Sequence, residues 1–141
     1  MIKRVAVVIV LLSVCMSQVP AAARPPDAAL KARVRSIVKA VENISKRSGT
    51  LDEFGQRTVG QGKAVLSIGP GAVYALSNCL SAETDWKVRF WIADMMGYLE
   101  NPDAVRPLTR LRDDSSQDKR VRKQAEESIK RLKSPIERDV Q

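Results

Sequence analysis

The sequence predicts an all-α fold organised as repeated pairs of helices, and three features of the 141-residue chain lead to this prediction. Apolar residues recur at intervals of three and four along most of the chain, which is the spacing of one helix face. No segment alternates apolar and polar residues for long enough to indicate a strand. Residues 85–99 and residues 118–132 align without a gap, so the pattern of one helix returns thirty-three positions later.

An amphipathic helix is predicted within residues 24–49. Pro25 and Pro26 precede Asp27, a residue type that caps helices, and Gly49 is placed to end the helix. Its apolar residues form a single stripe: Leu30, Val34, Ile37, Val38, Val41 and Ile44. We expect this stripe to pack on the remainder of the protein.

The segment that follows has weaker helical signals. Thr50 and Glu53 have the spacing of a capping box, in which each side chain bonds a free backbone N–H at the start of a helix. Residues 54–62 contain three glycines and no strong period. A broken helical segment is predicted there.

The aligned stretches share four identical residue pairs: Asp85/Asp118, Val88/Val121, Arg89/Arg122 and Leu99/Leu132. A second alignment, at a spacing of thirty-two, pairs the following residues: Pro70/Pro102, Ala72/Ala104, Val73/Val105 and Leu76/Leu108. One unit therefore consists of a longer helix, a proline-containing turn, a shorter helix and an acidic loop.

These residues resemble the HEAT-repeat family, particularly its short bacterial form. The pattern is clearest in residues 85–99, in the Asp-Ala-Val-x-Pro-Leu sequence of residues 103–108, and at Val121, Arg122 and Ala125, so the resemblance covers roughly residues 60–132. It implies a short right-handed α-solenoid of about two and a half helix pairs, with the N-terminal helix packed on it.

The resemblance also sets the predicted boundaries. The repeat domain spans residues 50–133, residues 134–141 form a C-terminal tail, and the last repeat ends after its first helix. The first repeat departs from the pattern, because Gly60 and Gly62 stand where an Asp-x-x-Val-Arg signature is expected.

The family resemblance implies a non-catalytic scaffold that binds a partner protein. It also implies structural roles for the signature residues. We expect Asp85 and Asp118 to cap their helices, with Arg89 and Arg122 one turn later within ion-pair reach of them.

Residues 1–23 have the three parts of a secretory signal peptide. Lys3 and Arg4 form a basic start, an apolar run follows, and Ala21–Ala23 provide a small-residue cleavage site. The run is shorter than the roughly twenty apolar residues that span a bilayer. We expect export to the periplasm or the medium after cleavage near Ala23. A lipoprotein anchored through Cys15 is the weaker alternative, because Val14 stands where that signal has a small residue.

The residue types present argue against an enzyme, a cofactor and a metal site. The chain contains no His, and Cys79 is the one cysteine beyond the predicted signal peptide. The adjacent acids at residues 113–114 and 126–127 diverge by about 100° on a helix, so they do not form a catalytic pair. The glycines at residues 60–62 lack the spacing of a phosphate-binding loop.

The net charge of +8 is spread over the chain, with basic and acidic residues interspersed. This pattern favours a solvated surface over a nucleic-acid site. Association with an anionic envelope surface or extracellular ligand remains the alternative to a protein partner.

The candidate partner-binding residues come from the second helices, which generally line the concave surface of HEAT-like repeats. In the aligned units, three residues of one such helix match three residues of the next: Tyr74, Ser77 and Asn78 with Arg106, Thr109 and Arg110. We expect these six to share one face and to contact a partner protein.

Residues 85–99 divide into two faces on a helical wheel. The first is the expected repeat core: Val88, Ile92, Met95 and Leu99. The second stripe comprises Trp86, Phe90, Ala93 and Gly97, whose counterparts in the last helix are Lys119, Lys123, Glu126 and Lys130. We expect the last helix to be a polar cap and the N-terminal helix to cover this stripe. Alternatively, Trp86 and Phe90 are exposed and anchor a partner.

Overall fold

The computed structural model describes residues 28–134. Within this range the chain forms seven helices and one 3-10 turn, in the order α1 (Ala28–Arg47), α2 (Leu51–Arg57), α3 (Val59–Ile68), α4 (Ala72–Ala82), α5 (Trp86–Tyr98), the 3-10 turn Pro102–Ala104, α6 (Val105–Asp113) and α7 (Lys119–Lys133). The all-α prediction is confirmed. The predicted signal peptide, the predicted cap Asp27 and residues 135–141 of the predicted tail lie outside the described residues.

Helices α3 to α7 form two helix pairs and one additional helix. α3 and α4 make the first repeat, α5 and α6 make the second, and α7 stands in the place of the first helix of a third. α7 packs along α5 and α6. Asn101 Nδ2 donates to Pro70 O at 2.9 Å, which ties the turn before α6 to the start of α4. Later turns of the two helices, with Ser81 in α4 and Leu111 in α6, also border one hollow, so the two second helices run in the same direction.

α1 packs on the repeats, as predicted from its apolar stripe. Val34, Val38 and Val41 are buried, and the helix contacts α3, α4 and α5. Near the start of α1, Leu30 lies against Gly71 at the start of α4. Near the end of α1, Ser45 Oγ donates to Asp85 Oδ2, three residues beyond the end of α4. α1 therefore runs alongside α4 and in the same direction.

One hydrophobic core runs through the described part of the chain. The predicted core face of α5 is buried, since Val88 and Ile92 are inaccessible to solvent and Met95 and Leu99 nearly so. The core continues into the neighbouring helices through Val65, Leu76, Leu108, Val121 and Ala125. Helix burial at this scale is what stabilises a stack of repeats that have little intrinsic helical stability alone.

The glycine-containing segment is a broken helix, as predicted, but the break falls at Thr58 and not at a glycine. The Thr58 hydroxyl donates to Phe54 O at 3.0 Å and to Gly55 O at 3.2 Å, so it bonds carbonyls at the end of α2. Gly62 lies inside α3, where a Cβ atom would be 3.4 Å from Met95 Sδ.

The capping box at α2 differs from its expected form in one bond. Thr50 Oγ1 accepts from Glu53 N at 3.2 Å, as predicted. Glu53 Oε2 accepts from Gly49 N at 2.9 Å, so the glutamate bonds the residue before the cap. No helix between residues 28 and 134 has the length and apolar character needed to cross a membrane.

Candidate partner-binding surface

A groove of about 810 Å³ lies between the first turns of α4 and α6. α4 contributes Tyr74 and Ser77, and α6 contributes Arg106 and Arg110. Asn78 lines the adjoining hollow, which Arg110 also borders. The structure therefore brings five of the six candidate residues from the second helices together. Thr109, the sixth, lies on another side of α6 and does not line either hollow.

Tyr74 contributes an aromatic side chain to this groove, with 54% of its surface accessible to solvent. The Nζ atom of Lys31 in α1 lies 5.2 Å from the centroid of the Tyr74 ring, a cation–π distance. The sequence analysis missed this contribution from α1.

The side chains of Arg106 and Arg110 form no ion pair and no hydrogen bond with any residue between positions 28 and 134. Two acids of the loop after α6 have other partners, whereas Asp103 lines the same groove as the two arginines. Asp113 pairs with Arg112 at 2.8 Å. Asp114 accepts hydrogen bonds from Ser116 and Gln117, and these bonds lower its pKa to about 2. The acidic loop after α6 is thus satisfied internally, and the two guanidinium groups are left available to a ligand.

The small residues of the second stripe of α5, Ala93 and Gly97, are covered by α7, and the prediction that the N-terminal helix covers them was wrong. Ala93 is fully buried, and its carbonyl accepts from Ser128 Oγ at 2.8 Å. A Cβ atom on Gly97 would lie 2.7 Å from Ser128, so the missing side chain lets α7 approach α5 closely. The apolar stripe of α1 packs mainly against α3 and α4, and α1 also contacts α5.

Trp86 and Phe90 are half-buried and lie apart from the groove. The guanidinium carbon of Arg120 lies 3.5 Å from the centroid of the Trp86 ring, and two hydrogen bonds to Asp118 hold this arginine in place. Phe90 lines a different hollow, between α2, α3 and α5. These two aromatic residues therefore do not share a surface with Tyr74, Asn78, Arg106 and Arg110.

The aspartates of the repeat signature cap their helices, as expected. Asp85 Oδ1 accepts from Lys87 N at 2.9 Å, and Asp118 Oδ1 accepts from Arg120 N at 2.8 Å. Each carboxylate satisfies an N–H group that the first turn of a helix leaves unpaired. The hydrogen bonds from Arg120 lower the pKa of Asp118 to about 2.

The expected ion pairs between signature aspartates and arginines are not formed within the described range. Arg89 Nε donates to Glu83 O, just beyond the end of α4, and its NH1 donates to Gln117 Oε1. Arg122 Nε donates to Arg112 O in the last turn of α6, at 3.0 Å. The end of a helix carries unpaired carbonyls, which attract a guanidinium group. Each arginine thus fastens its helix to the preceding one.

The carboxyl group of Glu83, at the end of α4, lies near Glu42 of α1. Glu83 is buried, and its Oε1 accepts from Thr84 N and Asp85 N, both at 2.9 Å. Burial raises the pKa of Glu83, and burial likewise raises the pKa of the nearby Cys79 thiol. Across positions 28–134, no group of three or more acidic or cysteine side chains is arranged to hold a metal ion. The Glu83 carboxylate bonds the two backbone N–H groups that lead into α5.

A family model described as HEAT repeats matches residues 63–140. The match covers more than half of the chain. The chain belongs to the HEAT-repeat family. Its two helix pairs and the additional α7 make it a short α-solenoid, as the sequence predicted.

HEAT repeats commonly serve as scaffolds for protein–protein interaction and are generally non-catalytic. Comparisons with curated proteins and with solved structures gave no significant match. The nature of the partner therefore has to be inferred from the surface of this HEAT-repeat protein itself.

Proposed function

We propose that this HEAT-repeat protein is an exported, non-catalytic adaptor that binds a partner protein in the groove between α4 and α6. The observation that carries the proposal is the pair of unpaired guanidinium groups, Arg106 and Arg110, one helical turn apart and beside the exposed ring of Tyr74. Arginine and tyrosine are enriched among the residues that dominate the energy of protein interfaces.

The position of these residues in the solenoid supports the same function. Second helices of successive repeats present side chains at equivalent positions, so Tyr74 and Arg106 are one repeat apart, as are Asn78 and Arg110. A partner that lies across the helices contacts the same register in each repeat.

Binding to an anionic envelope surface is the second candidate. Lys119 and Lys123 are exposed on the outer face of α7, which is where such a surface would bind. Acidic residues of the same helix reduce the charge of this face, because Lys130 lies 3.8 Å from Glu126 and 3.5 Å from Glu127. We therefore favour the groove.

The test is partner capture from the native compartment with charge-reversed variants. Replacing Arg106 and Arg110 with Glu is expected to reduce the amount of captured partner by at least about tenfold, since it puts two anions in the place of the two cations of the groove. The matched control replaces Lys119 and Lys123 with Glu, which makes the same change of charge at the same spacing on α7. Unchanged capture by the groove variant, or equal loss in both variants, would contradict docking in the groove.

Export has its own test, because the cleavage prediction is specific. The mature protein from the envelope or the medium is expected to begin at Arg24, as read by intact mass and N-terminal sequencing. A chain that retains Met1 and stays in the cytoplasm would contradict export.

A further inference from the structure

Three helices that run side by side each carry a pair of residues four positions apart, and the pairs are in register. Lys31 and Arg35 lie on α1, Tyr74 and Asn78 on α4, and Arg106 and Arg110 on α6. Residues four apart on a helix share one face. The three pairs therefore form two rows across the helices: Lys31–Tyr74–Arg106 and Arg35–Asn78–Arg110.

Contacts support both rows. In the first, Lys31 lies over the ring of Tyr74, which faces Arg106 across the groove. In the second, Asn78 borders a hollow with Arg35 on one side and a hollow with Arg110 on the other. Nothing in the repeat pattern marked the α1 residues, because α1 has no counterpart in the aligned units.

The rows have a distinctive distribution of charge. Both ends of each row are cationic, while the middle positions, Tyr74 and Asn78, are uncharged. Acids border the rows, with Asp103 in the groove and Glu42 and Glu83 in the hollow beside Arg35. Between residues 28 and 134, none of the four cationic side chains forms an ion pair or donates a hydrogen bond to a protein group. Lys39, the next cation along α1, differs from them because it pairs with Glu42 at 3.2 Å.

We infer that this surface binds an extended acidic segment of the partner protein, which crosses α1, α4 and α6 with carboxylates at both ends. The inference rests on the proposed function and specifies the class of partner. α1 packs on α4, whereas α4 meets the 3-10 turn before α6 and the groove lies between α4 and α6. Packed helices are about 8–10 Å apart, so the two cationic edges are separated by at least about 16–20 Å. An extended chain advances about 3.4 Å per residue, so at least about five residues span this distance.

The uncharged centre of the rows distinguishes a peptide from other polyanions. An acidic peptide can place uncharged residues over Tyr74 and Asn78, where an aromatic ring and an amide offer stacking and hydrogen bonds. A nucleic acid strand carries a phosphate at every nucleotide and would place charge there as well. A lipid bilayer is flat and would meet the rims of the groove but not its floor.

The experiment measures fluorescence anisotropy of labelled synthetic peptides with the purified protein at two salt concentrations. The first peptide carries two Glu-Glu pairs separated by five uncharged residues, and the second carries the same four glutamates in one block. We expect the first peptide to bind more tightly. Two edge variants and one control are compared: Lys31→Gln with Arg35→Gln, Arg106→Gln with Arg110→Gln, and Lys119→Gln with Lys123→Gln.

Each edge variant is expected to weaken binding of the spaced peptide by about three- to tenfold, the loss of two exposed charge contacts. The control is expected to change binding less than twofold. Equal weakening by all three variants would show general attraction only and would overturn the inference. Failure of the spaced peptide to bind, with anionic vesicles binding in a groove-dependent way, would overturn it too.

The α1 edge also separates this inference from the proposed function. If partner capture is lost with the Arg106 and Arg110 charge reversal but unaffected by the Lys31 and Arg35 variant, docking in the groove stands and the crosswise acidic segment is wrong. Loss of capture with both variants supports the inference.

Discussion

Helices α5 and α7 occupy the same position in successive repeats, yet their surroundings differ. Both bury the face that carries the identical residues Val88 and Val121. The other face of α5, with Ala93 and Gly97, is buried under α7, whereas Glu126 and Lys130 at the aligned positions of α7 are exposed. The comparison shows that shared residues mark the common repeat core. Divergent residues mark the end of the described stack.

The largest expected effect comes from closing the contact that Gly97 allows. Gly97→Ala places a Cβ atom 2.7 Å from Ser128 and 2.8 Å from Arg131, so α7 has to move away from α5. We expect a loss of about 2 kcal/mol in the free energy of unfolding, as for an overpacked core site. Urea denaturation measures it.

Lys130→Ala, the same replacement at the aligned position of α7, is expected to change stability by less than about 0.5 kcal/mol. Gly60→Ala is a second control, because it adds a methyl group to a helix with no atom within 4 Å, and a gain of about 0.5–1 kcal/mol is expected. A neutral Gly97→Ala variant would contradict the close approach of α7.

The two capping aspartates give the next comparison. Asp85→Ala removes both the cap of α5 and the acceptor for Ser45 Oγ, which lies 2.6 Å away and links α1 to the repeats. We expect a loss of about 2 kcal/mol, compared with about 1 kcal/mol for Asp118→Ala, which removes a cap and an exposed ion pair. Equal losses measured by denaturation would show that the Ser45 bond adds nothing.

The Asp118 cap also has a predictable pH dependence. The pKa of Asp118 is lowered to about 2 in the folded protein, from an ordinary value of 3.8. A pKa that is lower in the folded protein stabilises the fold at any pH above the pKa of the unfolded chain. This contribution is lost as the pH falls towards the pKa of the folded protein. The stability difference between wild type and Asp118→Ala should therefore be constant above about pH 5 and shrink between pH 4 and pH 2. A difference that grows on acidification would contradict this role.

The Ser128 hydroxyl of α7 donates a buried hydrogen bond to the backbone carbonyl of Ala93 in α5. Ser128→Ala removes the donor to Ala93 O and is expected to cost about 1 kcal/mol. Ser81→Ala is the control, because the Ser81 hydroxyl bonds a carbonyl of its own helix at an exposed position. A Ser128 variant as stable as the control would show that packing alone holds α7.

The smallest effect on stability is expected at the stack of Arg120 on Trp86. Arg120→Ala should change the free energy of unfolding by less than about 1 kcal/mol, since the contact is exposed. It should nevertheless increase acrylamide quenching of tryptophan fluorescence, because Trp86 loses its cover while Trp91 stays buried. Quenching equal to that of Lys119→Ala would contradict the stack.

The fold could be predicted because periodicity and self-similarity report which faces are apolar and which helices are equivalent. They do not report which helix covers an apolar face. For this reason α1 was predicted to cover the second stripe of α5, where α7 covers Ala93 and Gly97. The stripe itself held a signal, since Ala93 and Gly97 are small residues of the kind that permit close helix packing. The spacing of Asp85 and Arg89 predicts an ion pair, but the guanidinium group of Arg89 donates to the backbone carbonyl of Glu83 instead.

The candidate surface was predicted in part. Aligning the repeats brought Tyr74, Asn78, Arg106 and Arg110 together, because equivalent positions of a solenoid face the same way. Lys31 and Arg35 were missed because α1 lies outside the repeat alignment. Trp86 and Phe90 were the alternative partner anchors because they lie on the second stripe of α5, and their contacts place them apart from the groove.

The central claim is that the groove between α4 and α6 is the docking site for a partner protein. Its most direct test is site-specific photo-crosslinking in cells, with a photoreactive amino acid introduced at position 78 in the surface or at position 123 on the outer face of α7. We predict a covalent adduct with a partner protein from position 78 and none from position 123. Adducts from position 123 together with none from position 78 would contradict the account.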